Sequence, residues 1–501
     1  MLGTGVLAAC GAGAAATGSA SSAGAATASA AAATSAAPAA SAGSAAAASV
    51  AASTAAAATT SAQSSASAPA SSAAAANGPK PTPTPASGQS RPSASTTVTL
   101  WYGWGGQTAI HTWETLEPKM AETLTNFNVQ WVVANNNAKL LAAIAGGSPP
   151  TVAVGNAPYL EIWSKSAATQ LDDYIAKSKV VVRSDIPDAY WKGAGYKGKI
   201  FGVPAVEGFV FESLCFNINN VQKAGIDPKT VSWDWDTLTQ LQQQLTTKQG
   251  TNIAVLGIHP LDAMGSSLGT WAFAWDVQYL DDSTNTYNLA NDQLAEALAT
   301  IKKLYDIAGG PSAVSAFQKS YGTWTQDSKA MLPSGVEDMN INGYWAAGEL
   351  AHSSPSNQFY FTWAPVPSAR KGFKLQAAGT HYAFIPNGAK HANEGFQLIE
   401  FLVGDVGAPV IFESTGWLNS RRSLLDKIDA NKYPGLSFFV NSAKQNDKLY
   451  GSPNDLIGSF TSDQWSKAIQ AVVANEKTPK DALQQVQQLV TQEFKMRYPN
   501  G

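Results

Sequence analysis

The chain has 501 residues, 14% of them charged, and a formal net charge of −3. That mild balance excludes a basic nucleic-acid footprint, and no run of about 18 apolar residues offers a membrane span. Two cysteines, Cys10 and Cys215, sit in contexts too different to be read as a disulfide.

Residues 11–97 are almost entirely Ala, Ser, Thr, Gly and Pro, with Lys80 and Arg91 the only charges. Such a stretch has too little large apolar surface to offset the entropy of ordering, and its Ser, Thr and Gly weaken helix in the Ala runs. It reads as a flexible tether, spanning roughly 50 Å as a random coil. Residues 98–501 hold all 15 Trp and read as globular.

Residues 98–102 alternate and favour strand, ending in the loop Gly103-Trp104-Gly105-Gly106. A helix is predicted over 108–127, a strand over 129–133 and a helix over 138–145, stopped by Gly146-Gly147-Ser148-Pro149-Pro150. Residues 151–154 form a continuous apolar run suited to a buried parallel strand. Asn156 then caps a helix with Pro158 in its first turn. Strand and helix alternating at this spacing indicate doubly wound α/β, in which ligands bind beyond the carboxyl ends of strands. The loops at Trp104 and Asn156 lie there.

Further on, 209–217 is strand-like, and a helix capped by Ser232 or Asp234 runs to about residue 246. A strand follows over 253–258, a helix over 294–307, a strand over 359–363 and an amphipathic helix over 392–403, ended by Gly404.

Several segments in order resemble the extracellular solute-binding proteins of ABC importers, the maltose-binding-like family. They are the opening residues 98–105 and Lys139-Leu-Leu-Ala-Ala-Ile-Ala-Gly-Gly-Ser-Pro-Pro. Gln170-Leu-Asp-Asp-Tyr-Ile, Gly198-Lys-Ile-Phe-Gly-Val-Pro, Ala224-Gly-Ile-Asp-Pro and Ser232-Trp-Asp follow. Ile341-Asn-Gly-Tyr-Trp, Ala364-Pro-Val-Pro, Glu394-Gly-Phe-Gln-Leu-Ile-Glu-Phe-Leu and Thr415-Gly complete the series. The resemblance implies two doubly wound α/β lobes joined by a hinge, a periplasmic-binding-protein type II fold, with the ligand in the cleft. It places 98–206 and 376–430 in one lobe, and 207–375 and 431–501 in the other. It implies a monomer that captures a mono- or oligosaccharide by hinge closure and delivers it to permease subunits.

Leu7-Ala8-Ala9-Cys10 resembles the lipobox of bacterial lipoproteins, with residues 1–10 the remnant of a signal peptide. This implies that Cys10 carries a lipid holding the domain on the extracellular face of the membrane. No Lys or Arg precedes the short apolar stretch, a departure from that pattern.

A sugar offers flat C–H faces and many hydroxyls, so its receptor needs aromatic platforms and polar partners. By the resemblance, Trp345 in Asn-Gly-Tyr-Trp is the leading platform, with Tyr344 beside it. Trp104, Asn156 and Tyr159 follow the first-lobe strands. Glu207, Phe209 and Phe211 lie at the crossover, and Trp271 in a second-lobe loop. Gly379 and His381 mark the return to the first lobe, and Trp417 follows Gly416. Asn156 serves equally as a helix cap. Trp163, Trp233, Trp235 and Cys215 read as structural.

No catalytic residue, metal site or cofactor is predicted. Adjacent pairs such as Asp172-Asp173 do not converge as a glycosidase's carboxylates must, and the five His lack ligand spacing. A secreted glycoside-active enzyme is one rival reading. A polyamine or betaine receptor, with a Trp cage and extra carboxylates, is another. An adhesin or sensor on the same fold is the third.

Overall fold

The computed structural model describes residues 95–103, 107–133, 137–155, 159–451 and 453–499. Cys10, the tether up to residue 94, Trp104, Asn156 and the Phe209 side chain lie outside what is described.

The chain opens with strand β1 (Thr97–Tyr102), helix α1 (Gln107–Thr123), β2 (Asn128–Val133), α2 (Asn137–Ala145), β3 (Val152–Gly155) and α3 (Tyr159–Ser164). β1 pairs in parallel with both β2 and β3. This is the α/β winding that the alternating pattern predicts, because parallel strands need a helical crossover between them. Val98, Leu100 and Tyr102 of β1 are buried and pack in one core with Trp113, Leu116 and Phe127.

β4 (Gly202–Val210) and β5 (Ser213–Asn217) carry the chain across to a second sheet. The sequence reads 209–217 as one strand, but pairing breaks at Phe211 and Glu212, where β4 leaves one sheet and β5 enters the other. The second region contains α4 (Trp235–Leu245), β6 (Thr247–Gln249), β7 (Asn252–Ile258), α5 (Leu268–Ala274) and α6 (Asp292–Ala308). It continues through β8 (Glu337–Asn342), α7 (Trp345–Ser353) and β9 (Phe359–Thr362). β10 (Leu375–Phe384) returns, followed by α8 (Ala392–Val403), α9 (Gly407–Thr415) and α10 (Leu436–Gln445). β11 (Lys448–Gly451), α11 (Gly458–Val473) and α12 (Pro479–Arg497) complete the fold.

The first sheet has the order β11-β10-β3-β1-β2, with β4 also paired to β10; the second has the order β9-β5-β8-β7-β6. The protein is therefore a two-lobed α/β structure with two hydrophobic cores, and the cores cross the sheets: the first takes in Cys215, Tyr344 and Phe361, and the second takes in Leu375, Ala377 and Tyr450. The last segment serves both regions, since β11 joins the first sheet while α11 and α12 pack into the second core.

Local chemistry explains the element ends. Of the two candidate caps for α4, the structure uses Asp234, whose Oδ1 accepts the Thr237 N–H at 3.0 Å. Burial works against its charge, but hydrogen bonds from Ser232 and Thr237 hold the carboxyl down at about 2. Trp235, with its ring N–H on the Pro365 carbonyl, and Trp163 are core residues, as predicted. Cys215 is fully buried in β5, and that burial pushes its thiol upward. At the crossover the Gln376 side chain imitates a strand partner. Its Oε1 accepts the Glu212 N–H at 3.1 Å and its Nε2 donates to the Glu212 carbonyl at 2.9 Å.

Candidate functional site: a bulged strand that meets the second lobe

The site is built from a fault in the pairing of β4 and β10. Residues Gly202 to Ala205 lie opposite Phe384 to His381, and Gly208 to Val210 lie opposite Thr380 to Ala378. Val206 and Glu207 are left over, a two-residue bulge of the kind that re-aims a side chain. Val206 adopts φ +70°, a left-handed conformation that costs a β-branched residue roughly 1–3 kcal/mol. The bulge is pinned by its burial and by the Thr380 hydroxyl, which donates to the Glu207 carbonyl at 2.6 Å.

The bulge aims the Glu207 carboxylate at the segment after β8 of the second sheet, where Tyr344 and α7 pack into the first core. Its Oε2 accepts the hydroxyl of Tyr344, which follows β8, and its Oε1 pairs with His381 Nδ1 on β10. Burial first, and then the Glu207 charge, push the Tyr344 phenol well above its ordinary range, so the hydroxyl remains a donor. Three residues far apart in sequence therefore meet at one point, with Glu207 only 8% exposed.

Trp345 opens α7 next to this trio. Its ring is edge-on to Tyr344, with centroids 5.7 Å apart, and lies 6.4 Å from the Trp324 ring. Gly343 makes room for it, because a Cβ there would fall 2.3 Å from the indole. The Trp345 ring N–H is shielded and has no protein partner among the described residues. One turn along α7, Glu349 is buried and accepts the Thr325 hydroxyl at 2.5 Å. Burial pushes its carboxyl up to about 8. Gly379 lies opposite Phe209 in the ladder, and its missing Cβ admits the Phe211 ring, which would otherwise approach within 2.6 Å.

Three predicted contacts are corrected. Trp271, expected in a loop, lies on α5, is 1% exposed, and donates its ring N–H to the Gly265 carbonyl at 2.7 Å. The helix turns its ring inward against Trp235, making it a core residue. Tyr159 is buried beneath the first sheet, stacked on Trp163, and its hydroxyl accepts the Tyr382 N–H at 3.0 Å. Trp417 is buried in the first core, where Gly416 at φ +74° turns the chain inward after α9. Sequence reasoning missed Trp324 and Glu349. The signals were an aromatic in the polar stretch 322–326, and a carboxylate four residues after Trp345 on the same helical face.

A cavity of about 580 Å³ lies between the lobes, with Leu160 and Tyr196 on one side and Asp282, Asn454, Leu456 and Tyr498 on the other. None of Glu207, Tyr344, Trp345 or His381 lines it, so it is a separate opening from the site at the bulge. Among the described residues no group of three His, Cys, Asp or Glu is gathered to hold a metal.

The family model for bacterial extracellular solute-binding proteins matches residues 119–438. The protein CpMnBP1, solved with mannotriose bound, superposes with a TM-score of 0.72 at 22% identity, covering 79% of this chain and 100% of that one. The maltose/maltodextrin-binding domain MalE of Bdellovibrio bacteriovorus, bound to maltotriose, gives 0.65 at 17% identity, covering 80% and 100%. The sugar-binding protein MalE of Xanthomonas citri gives 0.60 at 20% identity, covering 81% and 100%. No curated protein sequence matches the chain.

Proposed function

We propose that this chain, which belongs to the bacterial extracellular solute-binding proteins, captures a neutral carbohydrate between its lobes and releases it, unmodified, to the permease of an ABC importer. One observation carries the reading: the strained bulge of the first sheet brings Glu207 to Tyr344, beside Trp345, in the segment between two strands of the second sheet. A carboxylate and His381 supply hydroxyl partners, and Trp345 with Trp324 supplies apolar faces. A ligand held by both lobes favours the closed state by its differential affinity. The sugars bound by CpMnBP1 and by the Bdellovibrio protein support the same class of ligand.

The site argues against a cationic solute. Glu207 is shared with Tyr344 and His381, and burial raises the Glu349 carboxyl, so the site lacks the cluster of free carboxylates that a polyamine or betaine would need. Cys10 is the proposed lipid anchor, with residues 11–97 as the spacer to the membrane. Titration with a panel of mono- and oligosaccharides, followed by thermal shift and Trp fluorescence, tests the reading. A true ligand at a hundredfold excess over its dissociation constant stabilises the protein by about 2.7 kcal/mol. If no saccharide in the panel moves the melting temperature, the carbohydrate reading fails.

A further inference from the structure

Away from the bulge, the lobes touch through a second set of polar contacts. Helix α11 belongs to the second core but begins without a cap of its own, because its N-cap residue is Ile457. The four leading N–H groups of a helix need acceptors, and a carboxylate there is favoured by the helix dipole. The acceptor comes from the first lobe. Glu161, on α3, is 7% exposed; its Oε1 accepts the Ser459 N–H at 3.1 Å and its Oε2 lies 3.4 Å from the Ser459 hydroxyl. Beside it, Ser164 Oγ and the Tyr498 hydroxyl are 3.0 Å apart, and Lys192 Nζ lies 2.7 Å from Asp282 Oδ2. Leu160 and Tyr196 of the first lobe pack against the second core at the same place.

We propose that Glu161 is a positioning residue that latches the lobes together by capping α11 across the cleft. Ser164–Tyr498 and Lys192–Asp282 are the auxiliary contacts. When the lobes part, α11 loses its only side-chain cap at Ser459 among the described residues, and water must replace a carboxylate. The latch therefore holds a closed population before any ligand arrives. It borders the 580 Å³ cavity, whose wall includes Leu160, Asp282 and Tyr498. A ligand held at Glu207 and Trp345, whose residues do not line that cavity, meets a partly pre-closed protein and pays less for closure, so the latch sets affinity without touching the ligand.

The inference rests on the capture reading for its purpose, but its test needs no sugar. Dyes are placed on Cys substituted for the exposed residues Glu114 and Gln293, one on each lobe, in the full chain with Cys10→Ser. Cys215 is fully buried and stays unlabelled. Energy transfer in sugar-free protein is compared between the parent and a Glu161→Met, Lys192→Met, Tyr498→Phe variant, which keeps side-chain size and removes the acceptor of the Ser459 N–H. The ratio of closed to open protein should fall at least about fivefold, the usual worth of an N-cap, and any sugar that binds should be weakened by up to a similar factor. Lys302→Met, at an ion pair within the second lobe, should leave transfer unchanged. Equal transfer in the parent and the latch variant overturns the proposal. If the triple variant lacks native circular dichroism, Glu161→Met alone makes the same comparison. If no sugar binds the parent, the capture reading fails, while the transfer measurement still decides the latch.

Discussion

Two acid clusters in this molecule solve the problem of a buried carboxylate in opposite ways. At the cleft, Glu207 stands on a strained bulge and both its oxygens are engaged, one by Tyr344 and one by His381. In the second lobe, Asp262 and Glu337 are fully enclosed and close to each other, and the neighbouring N–H donors come from the backbone of Ala263 and His259, each at 2.7 Å. Burial also lowers the His259 imidazole to about 4, so it supplies no charge. Burial first, and then the neighbouring carboxylate, push Glu337 well upward, and burial raises Asp262 with it. Two carboxylates cannot both ionise in such a place, so the pair keeps a proton. The first cluster is arranged to meet a ligand, while the second behaves as a polar core beneath β7 and β8 in which the pair shares a proton.

The largest test of the contrast uses two tryptophans of the second lobe. Trp271→Ala should destabilise the protein by about 3–5 kcal/mol in urea unfolding and leave the sugar dissociation constant almost unchanged. Trp345→Ala should do the reverse, weakening sugar binding while costing less stability. If the two profiles are exchanged, interior and site have been confused.

Glu207→Ala comes next. It strips the acceptor from Tyr344 and His381, and calorimetry should show sugar affinity falling on the order of 100-fold, as for a buried charge-assisted hydrogen bond. Glu207→Gln should recover part of the loss.

A smaller effect comes from the protonated carboxyls. Burial raises Glu212 to about 8, and Asp262 and Glu337 are raised as well. A carboxyl raised in the folded state binds its proton more tightly when folded than when unfolded. Its contribution is whole below the ordinary carboxylate range and is lost as pH climbs through the folded value. Urea midpoints should therefore decline from pH 5 to about pH 8. Glu337→Gln should flatten that decline, raising stability at pH 8 relative to pH 5 by about 1–3 kcal/mol. A pH profile identical to the parent would show that the pair carries no shared proton.

The smallest effect belongs to the surface. Lys302→Ala breaks an exposed ion pair with Asp306 and should change stability by less than about 0.5 kcal/mol.

Much of this organisation was legible in the residues alone. The alternating apolar runs of 98–154 implied parallel strands with helical crossovers, and β1, β2 and β3 pair that way. Hydrophobic periodicity is a local property, so the amphipathic helix Ala392–Val403 could be read to its ends. The aromatic contacts were less legible, because Trp345 and Trp271 are equally plausible platforms in sequence. Which of them faces the core depends on helix rotation against a distant sheet, and no local pattern records that.

By itself, then, the amino-acid sequence determined the α/β class, the two-lobed family and Glu207, Tyr344, Trp345, Gly379 and His381 as candidates. Only the tertiary structure decided that Val206 and Glu207 are surplus in the ladder, and that their bulge joins Glu207 to Tyr344 and His381. It also decided that Glu161 caps a helix whose first residues lie almost three hundred positions away. Pairing register and interlobe contact arise from the packing of segments remote in the chain. The free energy that sets them is distributed over both partners, so neither segment carries it alone.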